Sequence, residues 1–177
     1  NGITPGGIVF LGSSSIRMWN LDKWFPDMPV VNRGFGGSQI SDSIRYFDRI
    51  VVPRKPRLIV FYSGENDIAA GERPEQVAND FRIFADMVAE KLPGTKLIFF
   101  TMKPSISRWK IHDRMAAGNK IIAEEIARRD DVTIIDTDKL MIGEDGTPRT
   151  DIFLKDNLHM NDTGYKLWGD TLMPMLK

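Results

Sequence analysis

Cysteine is absent from the 177 residues. That removes disulfides, thiolate metal sites, iron–sulfur clusters and a cysteine nucleophile together. Histidine is scarce: only His112 and His159 occur, too few for a multi-histidine metal site. Charge of either sign is not in excess, since 24 Lys plus Arg balance 24 Asp plus Glu for a formal net charge of zero. A global attraction to nucleic acid or anionic lipid is therefore not expected. No apolar run approaches the ~18 residues that a membrane-spanning helix needs. The opening stretch from Asn1 to Gly7 lacks a charged segment followed by an apolar one, so no signal peptide is expected there. With no initiator Met, a trimmed N-terminus is expected. A cysteine-free chain tolerates either redox compartment, which leaves localisation open. Chemistry must rest on Ser, Asp, Glu, Lys and at most two imidazoles.

What is present reads as one domain over residues 1–177, with no repeat, linker or low-complexity tract. Hydrophobic residues at 42% and charged residues at 27% are enough to form a core and argue against disorder. Five short apolar runs stand out at Ile8 to Leu11, Val30 to Asn32, Leu58 to Tyr62, Leu97 to Met102 and Val132 to Asp136. They are continuous rather than alternating, as strands covered on both faces of a parallel sheet are. Helical spacing lies between them. Ile40, Ile44, Phe47 and Val51 follow a candidate cap at Ser38, and Val77 through Leu92 precede the stop signal Pro93-Gly94. Ile111, Met115, Ile122 and Ile126 mark another helix, and Tyr165, Trp168 and Leu172 a last one between Asn161 and Pro174. Alternating strands and helices with right-handed crossovers predict a three-layer α/β/α sandwich.

Ligands of such sheets sit beyond the carboxyl ends of the strands. Four polar or glycine-rich loops converge there. Gly12-Ser13-Ser14-Ser15 follows the first strand, at the start of a short helix near Ile16. It suits a nucleophilic hydroxyl with its own N–H facing the site, or equally a helix cap or a phosphate-binding turn. Composition alone does not say which of the three serines would attack. Asp156-Asn157-Leu158-His159 precedes the last helix. A tight turn brings residues i and i+3 to one side, where the carboxylate can accept Nδ1–H and leave Nε2 as a general base. His112 opens a helix with no partner in the serine loop and is not assigned a catalytic role. Gly36-Gly37 and Asn66 offer N–H donors for a developing oxyanion, the glycines because no Cβ blocks the approach.

In this order the blocks Phe10 to Ser15, Asn32 to Gly37, Gly64-Glu65-Asn66-Asp67 and Asp156 to His159 make the chain resemble an SGNH hydrolase of the GDSL-type esterase/lipase superfamily. Within it, the branch containing platelet-activating-factor acetylhydrolase subunits and bacterial acyl esterases is the most similar. The resemblance implies a flavodoxin-like five-stranded parallel sheet in the order 2-1-3-4-5. It places the nucleophile on Ser14, the triad acid and base on Asp156 and His159, and the oxyanion donors on Ser14, Gly37 and Asn66. It also departs from the family at Ser13, where an Asp is usual; that Asp is not the triad acid. The segment from Lys103-Pro104-Ser105 to Arg108-Trp109 resembles one in bacterial members, with no role attached to its residues.

The expected activity is hydrolysis of short-chain, acetyl-type carboxylic esters, with an acetylated sugar as candidate substrate and no metal or organic cofactor. Short connections leave little chain for a lid and imply an open groove. A lysophospholipase- or thioesterase-type acyl hydrolase is the alternative, and a non-catalytic phosphate- or flavin-binding module a more distant one. Trp109 is the best candidate for stacking on a sugar ring, whereas Trp19, Trp24 and Trp168 are expected in the core. Arg33 and Lys103 lie close to the site in sequence and are candidates to contact an anionic leaving group, or equally are exposed loop cations with no such role. The oligomeric state is not legible.

Overall fold

The computed structural model describes residues 5–177. Five parallel strands form one sheet in the order β2-β1-β3-β4-β5, the predicted topology. They are β1 (Ile8–Gly12), β2 (Val30–Gly34), β3 (Leu58–Tyr62), β4 (Lys96–Phe100) and β5 (Val132–Ile135). The longer helices are α3 (Ile40–Ile50), α5 (Pro74–Lys91), α6 (His112–Ile126) and α8 (Asp162–Leu172). Four short helices sit between them: α1 (Ser14–Arg17), α2 (Leu21–Trp24), α4 (Glu65–Ala69) and α7 (Thr137–Met141). The last three have too few residues to show a helical period, and no apolar spacing announces them.

The continuous apolar strands divide their side chains between two cores, because successive residues point to opposite faces. Val9, Leu11, Ile59, Phe61, Leu97 and Phe99 pack under α3, α5 and α6. Ile8, Phe10, Leu58, Val60, Tyr62, Ile98 and Phe100 pack with Trp19, Trp168 and Leu172 on the other face. Trp19 and Trp168 are core residues as expected, with Phe100 stacked on Trp168 at 4.4 Å between ring centroids. Trp24 is half-buried at the end of α2, packed against the margin of the same core. The edge strand β2 is likewise only half-buried throughout, because only one neighbour covers it.

Several boundaries differ from the sequence reading. The first helix after β2 is capped by Gln39 rather than Ser38, with Asp42 accepting from the Gln39 N–H at 2.9 Å. Ser38 instead donates its hydroxyl to the Gly12 carbonyl at 3.3 Å. Strand β4 runs from Lys96 to Phe100, so Thr101 and Met102 belong to the buried loop beyond it. Strand β5 stops before Asp136, whose carboxylate caps α7 by accepting from the Asp138 N–H at 3.1 Å. Asn161 caps α8 as expected, and Pro174 lies in a 3-10 turn (Met173–Met175) past its end.

Gly12 closes β1 with φ of +140°. A Cβ there would lie 1.8 Å from the Tyr62 carbonyl oxygen, so the close approach of β1 and β3 at their carboxyl ends requires glycine. We expect Gly12→Ala to destabilise the protein by about 3 kcal/mol or more, through a disallowed φ and a backbone clash together. Urea unfolding followed by circular dichroism measures it, and a loss under about 0.5 kcal/mol would show that this end of the sheet yields.

Candidate active site

The four loops are sewn together at the carboxyl edge of the sheet. The Gly12 carbonyl accepts from the Phe35 N–H at 2.9 Å as well as from Ser38. The Ser13 N–H donates to the Tyr62 carbonyl at 3.0 Å, and its own carbonyl accepts from the Ile16 and Arg17 N–H groups to start α1. This start leaves Ser14 at the first helical position, where the N–H has no partner within the helix.

Geometry separates the three serines that composition leaves equivalent. Ser13 and Ser15 are buried, and neither hydroxyl finds a hydrogen-bond partner among the described residues. Ser14 is half-buried, and its Oγ lies 3.0 Å from Nε2 of His159. On the other side of the ring, Nδ1 of His159 is 2.6 Å from Oδ2 of Asp156. The other carboxylate oxygen of Asp156 accepts from the Leu158 and His159 N–H groups, both at 3.0 Å. Asn157, with φ of +55°, turns the chain so that residues 156 and 159 face each other.

The loop is held from behind. Asn161 donates to the carbonyls of Asp151 at 2.9 Å and Phe153 at 3.1 Å. Tyr165 of α8 donates its hydroxyl to the Ser15 carbonyl at 2.8 Å, joining the two halves of the site. The hydrogen bond from His159, first of all, and those from the backbone N–H groups hold the Asp156 carboxyl down at about 2.

Gly37 and Asn66 meet across the same edge. Gly37 has φ of +73°, is exposed, and has open space where a Cβ would stand. The Asn66 amide donates one N–H to the carbonyl of Ser38, the next residue, at 3.0 Å. Its second N–H is available to another acceptor. Asp67 accepts from the Ile40 N–H at 3.1 Å, which holds α4 against the start of α3. Burial pushes the Asp67 carboxyl up to about 6, against the opposing effect of that bond. Asp67, Glu72 and Asp80 bring carboxylate oxygens within 4.8 Å of one another, the acidic grouping that comes nearest to a cation site among the described residues.

Neither candidate cation, Arg33 or Lys103, is an exposed loop residue. Lys103 is fully buried, and its ammonium donates to Glu65 at 2.8 and 3.0 Å. Its charge has to be matched inside the protein, which composition does not reveal. Burial pulls the Lys103 ammonium below its ordinary value, while Glu65 opposes the shift. Arg33 lies in β2 and is half-buried; partial burial, then the charge of Arg54, lowers its pKa. His112 is paired with Asp138 at 3.0 Å and stacked on Trp109 at 4.4 Å, in contact with neither Ser14 nor His159. One face of Trp109 is therefore already covered.

A flavodoxin-like sheet with a serine, an imidazole and a carboxylate in bonding sequence at its carboxyl edge is the architecture of a hydrolase. The chain belongs to the GDSL-like lipase/acylhydrolase family, whose profile matches residues 14–167, and it is a carboxylic ester hydrolase. No curated protein matches it in sequence. Solved structures share its fold at low identity. A protein from Streptococcus pneumonia, provisionally described as a platelet activating factor, is similar with a TM-score of 0.89 and 19% identity, covering 99% of this chain and 86% of the other. A lipase/acylhydrolase from Enterococcus faecalis has a TM-score of 0.79 at 19% identity, covering 97% and 95%. An acetylxylan esterase from Geobacillus stearothermophilus, solved as a catalytic mutant, has a TM-score of 0.76 at 14% identity, covering 98% and 95%.

The Asp156 carboxyl contributes stability above the ordinary carboxylate pKa, and this is lost as pH falls through about 2. In His159→Ala we expect its pKa to rise toward the ordinary value, because the largest cause of the depression is gone. A carbon-13 NMR titration of the Asp156 carboxyl tests this; an unchanged value would assign the depression to the backbone N–H groups alone.

Proposed function

We propose that the protein is a serine esterase acting through Ser14, His159 and Asp156, with short acyl esters as substrates. The unbroken contact series from the Ser14 hydroxyl through the His159 ring to the Asp156 carboxylate carries this reading. The tautomer follows from the partners: Nδ1–H donates to the carboxylate, so Nε2 is the acceptor that faces the hydroxyl.

His159 takes the Ser14 proton as Oγ attacks the ester carbonyl, and the carbonyl oxygen becomes an oxyanion. The N–H groups of Ser14 and Gly37 and the free amide N–H of Asn66 are the donors that stabilise it. The imidazolium, held by Asp156, then protonates the leaving alcohol. Water attacks the acyl-enzyme with His159 again as base, and the acid is released as Ser14 recovers its proton.

Acetyl-type esters on carbohydrate are the substrates favoured within this reading. The His159 side chain remains a quarter exposed and that of Asp156 about half, as an uncovered site requires. A cleft of about 470 Å³ opens beside α1 and the loop carrying His159, lined by Trp24, Asn20, Met160, Asn161 and Thr163 among others. Trp24 beside amide and hydroxyl groups gives this cleft a lining that suits a sugar ring, next to Ser14 and His159 rather than over them, with the Lys23 ammonium 5.4 Å from the Trp24 ring. The acetylxylan esterase of the same fold is consistent with this choice.

Ser14→Ala should nearly abolish hydrolysis of 4-nitrophenyl acetate, and a fluorophosphonate should label Ser14 alone. A label on Ser13 or Ser15 would refute the assignment. Asn66→Ala should lower kcat by roughly 10²–10³, the usual consequence of removing one oxyanion donor. Steady-state kinetics on acetylated xylo-oligosaccharides against 4-nitrophenyl esters of rising chain length tests the substrate class; a preference for long acyl chains would overturn it.

A further inference from the structure

The mechanism above uses Asn66 and leaves unused the charged pair beside it. Lys103 and Glu65 are both buried, at 0% and 2% exposure, and the ammonium donates to both carboxylate oxygens. Tyr62, also fully buried, sets its hydroxyl 3.4 Å from the same ammonium. Taking both charges out of water is costly, and an apolar pair of similar volume would hold the core at least as well. Stability alone is therefore a poor account of the pair, and its position supplies a better one.

Glu65 opens α4, a helix of five residues, too short to hold its orientation unaided. Gly64 before it has φ of +115°, a conformation that only glycine adopts readily. Three successive side chains fix the turn. Asp67 accepts from the Ile40 N–H, and Asn66 donates to the Ser38 carbonyl. Both of these contacts reach the same short segment, residues 38–40, while the buried Ile68 packs the helix into the core. Glu65 supplies the third direction, anchoring the turn to the loop beyond β4. That loop continues to Ser107, whose N–H donates to the Asn157 carbonyl at 3.0 Å, and to Arg108, whose Nη1 lies 3.6 Å from Glu65. The pair thus joins the segment bearing Asn66 to the turn bearing Asp156 and His159.

We infer that Lys103 and Glu65 are positioning residues for the oxyanion amide: their contact sets the rotation of α4 so that one Asn66 N–H meets Ser38 and the other faces the reacting carbonyl. The inference rests on the oxyanion role given to Asn66 above. Neither residue touches substrate; both act through Asn66.

A double-mutant cycle in kcat tests it. Lys103→Met removes the anchor while Arg108 stays near Glu65 as a counter-charge. We expect kcat to fall roughly ten- to a hundredfold with KM unchanged, and no further fall when the substitution is added to Asn66→Ala. The variant Glu65→Gln/Lys103→Met removes both charges of the pair and leaves only the partly exposed Arg108 without its counter-charge, so it should melt closer to the parent temperature than Lys103→Met and still show the low kcat. Additive losses in the cycle, full kcat in the charge-free variant, or failure of both variants to fold would overturn the proposal, the last by making the pair a stability element. Full kcat in Asn66→Ala would instead defeat the oxyanion reading and this inference with it.

Discussion

Three strands end together around Gly12, and the site depends on that convergence. Strand β1 pairs in parallel with β2 and β3 at once, setting Gly12 opposite both Gly34 and Tyr62. A Cβ at Gly12 would run into the Tyr62 backbone, and one at Gly34 would lie 2.4 Å from the Arg17 nitrogen. With both absent, the chain leaving β1 turns sharply into α1 while the neighbouring loops close over it. The Gly12 carbonyl then receives Phe35 and Ser38, and the Tyr62 carbonyl receives Ser13. One bare residue thereby fixes the relative positions of the serine loop and the glycine loop, and places both against the end of β3.

Around this frame each candidate site residue is carried by a device of one turn. Ser14 begins a four-residue helix, Asn66 sits in a five-residue helix, and Asp156 and His159 share a turn closed by the Asp156 carboxylate accepting from the His159 N–H. Such pieces have no stability of their own, since a helical nucleus is costly and a few residues do not repay it. Their order comes from tertiary bonds: Tyr165 on the Ser15 carbonyl, Asn161 on two carbonyls of the 151–153 stretch, Ile40 on Asp67. The large aromatic core beneath, in which Trp19 contacts Phe10, Phe25, Phe100, Tyr165 and Trp168, supplies the rigidity that those bonds transmit.

The sheet was legible in the sequence because its signals are local and dense. Runs such as Leu58 to Tyr62 carry their own strand signature, and the longer helices show several apolar residues at helical spacing. Three of the candidate site blocks could be placed because each follows a strand and the topology brings strand ends to one edge, whereas Asp156 and His159 lie well past β5 and were singled out by their spacing and the family resemblance. Lys103 was not legible. A lysine after a strand reads as a solvated loop cation, and its burial depends on Glu65, 38 residues earlier, lying opposite it in space. Trp24 was legible only in part, since it packs against the core as its segment suggests and also borders an open cleft. Gln39 displaced Ser38 as a cap for a similar reason: the Ser38 hydroxyl is taken by the Gly12 carbonyl, a partner from another strand.

The charges in the site fall into two settings that call for different electrostatics. Asp156 and His159 stand in partial contact with water, where solvent could follow the charge that the proposed mechanism moves onto the ring. Lys103 and Glu65 lie where water does not reach, so their attraction is weakly screened and their geometry is held tightly. In the proposed mechanism the base gains and loses a proton each cycle, which the wet setting favours. An amide that must donate along one direction, and has no charge to adjust, depends instead on a support that does not move. Oxyanion stabilisation by a neutral side chain is sensitive to small errors in angle and distance, because the donor cannot reorient in response to the field it meets. The buried pair behind Asn66 is in that respect the counterpart of the half-solvated pair behind Ser14.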